Sequence, residues 1–309
     1  MTKFYHTTLL VYFLFSATLP AQQLPIFAQY RDGQSFFNPA SISGNYFKYY
    51  QNVTAGLFYR SQWKQVKDAP RTGLADFEFY NEDIGIVFGG HLTLDQTGPT
   101  GFTGAYGRFA YAIDFNNELQ LVAGLSAGLV QYQVDGADLQ FYEQGDVAAE
   151  NQTKFFPDFG LGAMLYYDER FYAGISIPQT FGLDLQFKND ANDFRIQRLR
   201  HYYFTGGAYV GFNNDSWLEP SFWLKYVPDG TLHLDANLKY EFSDLLWLGF
   251  GGSSSGAIQF EVGFFRYFGG EFSKSALFKL GYSYTQFNKT FGPEFGGANE
   301  IRLSYSWQY

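Results

Sequence analysis

The stretch LHLDANLKY, from Leu232 to Tyr240, sets Leu232, Leu234, Ala236, Leu238 and Tyr240 in strict alternation with His233, Asp235, Asn237 and Lys239, and Glu241 continues the polar set. A period of two marks a strand whose faces meet different media. The same split recurs upstream, where Leu119, Leu121, Ala123, Leu125, Ala127 and Leu129 alternate with Gln120, Val122, Gly124, Ser126 and Gly128. It recurs again in Ala276, Phe278, Leu280, Tyr282 and Tyr284 against Lys279, Gly281, Ser283 and Thr285. A soluble β-sandwich also alternates, so the connections have to decide.

Their lengths favour a barrel. Strands are expected near Val53–Arg60, Thr72–Phe79, Ile84–Leu94, Gly101–Ile113, Glu118–Gln131, Phe159–Tyr167 and Phe171–Ile177. The second half adds His201–Phe212, Trp217–Tyr226, Leu232–Tyr240, Leu245–Gly251, Ala257–Arg266, Ala276–Thr285 and Glu300–Tyr309. The total is about fourteen, an even number as bacterial outer-membrane barrels have. Tight connections at Asn81–Asp83, Asp114–Asn117 and Asp168–Arg170 take turns with longer ones at Ser61–Arg71, Asp95–Thr100 and Tyr132–Asp158. With both termini periplasmic, the longer connections face outside the cell. Tyr267–Ser275 is long for a periplasmic turn, and Val227–Thr231 and Gly252–Gly256 are short for external loops. The fold class expected is an all-β transmembrane antiparallel β-barrel of about fourteen strands.

Composition agrees with this. Aromatic residues make up 21% of the 309, charged residues 17%, and 34 glycines are scattered along the chain. Aromatic girdles at two membrane interfaces and glycines in curved strands account for both excesses. The net charge of −9 supplies no basic stripe, so nucleic acid is not an expected partner. Cysteine is absent, which excludes a disulfide framework and any thiolate metal site.

At the N-terminus, Lys3 precedes an apolar run from Leu9 to Phe15, followed by the small residues Ser16, Ala17 and Ala21. This pattern predicts an export signal over residues 1–21, cleaved near Ala21. Past Gln22 no segment is apolar for the ~20 residues a membrane helix needs, so strands must do the crossing. Residues 22–50 are aromatic and polar without alternation and are read either as a plug inside the lumen or as a periplasmic arm. The barrel then takes residues 51–309. Its last strand sets Ile301, Leu303, Tyr305, Trp307 and Tyr309 on one face and ends on an aromatic, the form of an insertion signal or of any amphipathic strand.

Few residues suggest chemistry. His6 lies in the leader, while His91, His201 and His233 belong to separate strands with no metal-ligand spacing. Strand residues can converge across a barrel, so a Ser and His hydrolase at one membrane interface stays open as a minor reading. Lumen lining explains His91 and His233 more simply. The acidic group Asp135, Asp138, Glu143, Asp146 and Glu150 fits a solvated loop better than a calcium site, because it lacks an EF-hand pattern. Gly249, Gly251, Gly252 and Gly256 are not followed by a helix and do not form a phosphate loop. No enzyme, cofactor or metal is expected.

Several motifs are more specific. Gln29–Tyr30, Asn38–Pro39–Ala40, then Tyr59–Arg60–Ser61–Gln62–Trp63 with Ala69–Pro70, resemble in content and order the start of the PorP/SprF family of type IX secretion system membrane proteins. The resemblance continues through Asp95, Gly98 and Pro99, through Gly124, Leu125, Ala127, Gly128, Leu129 and Tyr132, and through Pro157–Gly162 and Arg170–Gly174 with Pro178. In the second half it runs through Arg200–Tyr202, Pro220–Ser221, Lys225–Tyr226, Asp235, Asn237, Trp247, Gly249, Gly281–Tyr284, Glu300, Ile301, Leu303 and Tyr305, so that nearly the whole mature chain is covered.

The resemblance implies a Bacteroidota-type outer membrane and a place beside the type IX translocon, supporting secretion or surface attachment of particular large proteins, gliding adhesins among them. The motif at the outer end of the first strand makes Tyr59, Arg60, Ser61, Gln62 and Trp63 candidate partner-binding residues for the C-terminal domain of a secreted protein, together with the loop Tyr132–Asp158. The competing account is that Arg60 and Trp63 pack the loop against the rim. A passive channel for hydrophobic or small polar solutes is the alternative function on the same fold.

Overall fold

The computed structural model describes residues 27–116, 118–135, 152–181, 184–188, 193–197, 199–212, 216–228, 230, 232–242, 245–269, 276–289 and 292–309. The strands are β1 (Val53–Gln62), β2 (Arg71–Asn81), β3 (Ile86–Thr97), β4 (Thr100–Asp114), β5 (Leu119–Val134), β6 (Gln152–Tyr167) and β7 (Phe171–Ile177). A separate two-stranded hairpin follows, β8 (Asp184–Lys188) with β9 (Asp193–Gln197). The chain then forms β10 (Tyr202–Ala208), β11 (Val210–Phe212), β12 (Ser216–Tyr226), β13 (His233–Phe242), β14 (Leu246–Ser253), β15 (Ala257–Phe268), β16 (Ala276–Phe287) and β17 (Ala298–Trp307).

Each strand pairs antiparallel with its neighbour in sequence, β1 pairs with β17, and β10 joins β7 to β12, so the sheet closes on itself. β10 and β11 lie in one register against β12 and are two parts of a single strand, which makes the ring fourteen-stranded. The break falls opposite Pro220, which has no N–H to give the ladder. Closure removes the sheet edges that lipid would leave unsatisfied.

Alternation sets which face turns outward. In β13, Leu234 and Leu238 are 43% and 48% exposed, while Asp235, Asn237, Lys239 and Glu241 are buried. Such an arrangement suits a ring with lipid outside and a polar, filled interior. Outward aromatics collect toward both ends, Tyr59, Phe155, Tyr226 and Tyr282 toward one and Tyr111, Tyr167, Phe171 and Phe242 toward the other. The longer connections gather at the first of these ends, which by the usual asymmetry faces outside.

Two expectations need correction. Asp95–Thr100 is not a long connection, because β3 runs to Thr97 and β4 resumes at Thr100 around a turn in which Gly98 takes φ +56. Nor is the loop from Tyr132 to Asp158 as long as its polarity suggests: β5 continues to Val134 and β6 starts at Gln152, extending a paired ribbon beyond the apolar belt. Gln131, Gln133 and Thr153 at outward positions hide such an extension from a search for an apolar face. The hairpin β8–β9 is not among the expected strands, although DLQFK (Asp184–Lys188) and DFRIQ (Asp193–Gln197) each alternate, because five residues are too short a run to stand out. The export signal of residues 1–21, residues 22–26 of the next segment, and Asp138, Glu143, Asp146 and Glu150 fall outside the described residues.

Candidate functional site

Residues 27–50 lie against the inward faces of the strands. A 3-10 turn (Tyr30–Gly33) leads into two short helices, Gln34–Phe37 and Gly44–Tyr49, the second capped by Ser43 Oγ accepting from Asn45 N–H. Near the outer end, the backbone N–H groups of Ala28 and Gln29 both donate to the Glu300 carboxylate, at 2.9 and 3.0 Å. Phe27, Tyr30 and Phe37 form a buried cluster there with Phe58, Leu74, Tyr203 and Trp223 from the wall. Toward the inner end Ile42, Tyr46 and Phe47 pack against Tyr80, Tyr166, Tyr172 and Tyr209.

Asn38–Pro39–Ala40 is the tightest seam. Asn38 Nδ2 donates to the carbonyls of Ala163 and Ile175, both at 3.2 Å, and its Oδ1 accepts from Ala40 N–H. Arg108 Nη1 donates to Pro39 O and Ser41 O at 2.9 and 2.8 Å, while its Nη2 reaches Glu78 at 2.6 Å. Backbone comes this close only because the wall carries glycines. A Cβ on Gly124 would sit 2.6 Å from Ala40 N and from Pro39 C, and one on Gly162 would strike the Asn38 side chain. The Asn-Pro-Ala motif and the glycine motifs of β5 and β6, a hundred residues or so apart in sequence, are thus the two halves of one contact.

Charge fixes the rest of the segment. Glu241 takes three cations, Lys48 at 2.9 Å, Lys239 at 3.1 Å and Lys279 at 3.3 Å, and also accepts from Tyr49 Oη. Lys239 also meets Asp32 at 3.1 Å, Lys48 meets Glu219 at 3.3 Å, and Arg31 meets Glu261 at 2.5 Å. In most of these pairs one partner comes from residues 27–50 and the other from the wall. Ions with so little water around them hold their geometry, because losing either partner strands the other charge.

The five residues of the Tyr59–Trp63 block do not share one environment. Tyr59 is 49% exposed on the outward face, whereas Arg60 turns inward and pairs with Glu300 at 3.3 Å. Ser61 and Gln62 are half-buried at the strand end. Trp63 takes φ +52, donates its backbone N–H to Gly297 O, and sets its ring against Phe287 at the end of β16 and Phe295 of the β16–β17 connection. Beyond it, Lys64, Gln65, Lys67 and Asp68 are exposed at the rim.

Of the histidines, His91 stacks on Tyr106 with ring centres 4.6 Å apart and meets Phe36 edge-on, and His201 Nδ1 lies 3.0 Å from Leu199 O. At the inner mouth a cavity of about 470 Å³ opens below Tyr46 and Phe47, with Glu82, Asp114, Glu118 and Glu169 among its walls.

Sequence reasoning passes over Arg31, Asp32, Lys48, Glu241, Glu261 and Arg108 as site residues. A signal is present all the same. Lys239, Glu241, Glu261 and Lys279 all stand in the polar phase of alternating strands, where an unpaired charge is too costly to keep, so opposite charges in residues 22–50 are their natural partners.

These features define a class: an outer-membrane β-barrel whose lumen carries its own N-terminal segment, held by buried ion pairs and a glycine-lined seat. The chain belongs to a family described as type IX secretion system membrane protein PorP/SprF, whose model matches residues 19–305. No curated protein matches it. Among solved structures it is similar to the CymD monoaromatic hydrocarbon channel, with a TM-score of 0.52 at 11% identity, covering 93% of this chain and 94% of that one. A Pseudomonas aeruginosa FadL homologue gives a TM-score of 0.51 at 12% identity, covering 89% and 93%. Identities this low establish the shared barrel and nothing of what either protein carries.

Proposed function

We propose that this type IX-associated barrel acts as a filled scaffold, supporting the secretion or surface attachment of a specific large protein such as a gliding adhesin, by binding and not by catalysis. One observation carries the reading: the lumen is occupied by residues 27–50, bonded to the wall through Glu241, Glu261, Glu300 and Arg108. A barrel filled in this way offers partners its rims more readily than its interior. The outer rim, with the exposed loop 64–69 and Tyr59 beside it, is the surface assigned to the C-terminal domain of the secreted client. Export through removal of residues 1–21 belongs to the same reading, and N-terminal sequencing of the protein taken from its membrane checks it.

The test replaces residues 64–69 by a Gly-Ser linker in the native host and measures surface display of the candidate client alongside barrel insertion. Lost display with normal insertion is expected; unchanged display removes the rim loop from the mechanism. The passive-channel alternative separates in planar bilayers. The scaffold reading expects no steady conductance from the intact protein, and a reproducible open state would favour the channel.

A further inference from the structure

The outward wall over β1 to β5 is interrupted by a cleft of about 310 Å³ near the outer end. Strand register shows how it arises. One row around the wall reads Tyr59, Gly73, Leu94, Thr103 and Gln131, and the next row toward the rim reads Ser61, Arg71, Gln96, Gly101 and Gln133. Glycine occurs once in each row, at Gly73 and Gly101, so the side-chain layer is missing between Tyr59 and Leu94. The row below is Leu57, Ala75, Leu92, Ala105 and Leu129, with the three leucines 54%, 58% and 56% exposed. The cleft therefore straddles the border between an apolar belt and a polar rim, the level of lipid headgroups.

Its chemistry is lopsided. Arg71 is exposed and has no ion-pair partner among the described residues, in contrast to the charges of the lumen. Asp95, the acidic group among the cleft residues, faces the lumen side, where its Oδ1 accepts from Thr72 Oγ1 at 2.5 Å. Tyr59, Thr103 and Gln131 bring a phenol, a hydroxyl and an amide to the same row as the gap. A cation with neutral donors above an apolar runway fits an anionic head joined to acyl chains.

We propose that this cleft is a binding site for a phosphorylated outer-leaflet lipid, with the phosphate at Arg71 and an acyl chain laid from the Gly73 gap onto Ala75 and Leu92 in the row below. Two features of the surface select this occupant: the cleft lies at the border of the apolar belt, and the charge on its outward face, Arg71, is positive. Tyr59, the outward member of the Tyr59–Trp63 block, becomes one side of the site.

The test uses the full chain purified in mild detergent and titrated with lipid A, with a phosphate-free glycolipid of the same acyl chains, and with inorganic phosphate, bound lipid being read by native mass spectrometry. Lipid A should be retained with about a tenfold preference over the phosphate-free lipid, on the scale of one charge-assisted contact. Arg71→Gln should remove that preference. Gly73→Leu should abolish retention although Arg71 remains, since a Cβ at Gly73 meets only Leu94 Cβ, at 3.9 Å, and the branched end projects into the gap. Arg266→Gln, on the exposed wall near the opposite end, is the control and should change nothing. Heat-modifiable migration on gels confirms that each variant is folded. Equal retention of both lipids, retention insensitive to Arg71→Gln and Gly73→Leu, or displacement of lipid A by inorganic phosphate at matched concentration would each overturn the proposal.

Discussion

Leu238 and Lys239 are neighbours in β13, yet they answer to opposite rules. Leu238 projects into lipid, half exposed, with hydrocarbon as its partner. Lys239 projects into the lumen, fully buried, bonded to Asp32 of the N-terminal segment and to Glu241 of its own strand. On the outward face a side chain needs only to be apolar, and many identities serve. The inward face demands a particular partner for each charge and a particular gap for each piece of backbone, as at Gly124 under Ala40. Specificity inside this barrel goes into holding its own segment, and the proposed partner contacts are accordingly placed at the rim and the outer wall.

The sharpest way to break that contrast is to orphan the lumen charges. Glu241→Leu removes the ion-pair partner that Lys279 has among the described residues and weakens the hold on Lys48 and Lys239. Destabilisation of roughly 3–5 kcal/mol is expected, because buried cations lose their compensation. Urea unfolding of the barrel in lipid vesicles measures it, with Glu241→Gln expected to lose less because the amide oxygen still accepts. A loss below about 1 kcal/mol for Glu241→Leu would mean that water reaches the cluster and that the lumen is not the dry interior its burial implies. Second in size is Leu238→Lys, which places a charge in lipid near mid-strand. A cost of roughly 2–4 kcal/mol is expected in the same assay, and a negligible one would show that this face does not meet hydrocarbon.

The same contrast explains how much of the molecule is legible in its amino-acid sequence. Strands announce themselves where one face is lipid, and Phe171–Ile177 is bounded by alternation alone. Where the paired ribbon continues past the apolar belt, as in β5 beyond Gln131 and β6 before Phe159, Gln133 and Thr153 take the outward positions and the signal fades while the hydrogen bonds continue. The candidate site is legible only in part. Asn38–Pro39–Ala40 and the β5 and β6 glycines stand out as motifs, yet nothing in a linear pattern says that they touch. Arg60 and Tyr59 are adjacent in sequence and read as one surface, although strand geometry sends them to opposite sides of the wall. A block of consecutive residues in a strand cannot form one contact face, and that rule alone divides the motif.

Glycines give a finer version of the test. Gly124 and Gly107 both lie within barrel strands, but a Cβ on Gly124 meets the backbone of Pro39 and Ala40 at 2.6 Å, while one on Gly107 meets nothing within 4 Å. Gly124→Ala should cost roughly 1–3 kcal/mol by forcing the segment off its seat. Gly107→Ala should stay within about 0.5 kcal/mol, as for a site free of packing. Equal effects would mean that the seat yields easily and that the close approach of residues 38–41 is incidental.

A small effect is also expected where a leucine faces lipid. Truncating a buried leucine in a soluble core costs several kcal/mol, part of it lost transfer from water and part the cavity left behind. Neither contribution survives on the outward wall. Leu92 is 58% exposed there, its surroundings are acyl chains as apolar as the side chain, and a flexible tail fills whatever space a truncation opens. Leu92→Ala should therefore shift stability in vesicles by less than about 1 kcal/mol. A loss of the size seen in soluble cores would reveal a second protein surface on this face of the barrel, since only a packed partner leaves a cavity behind.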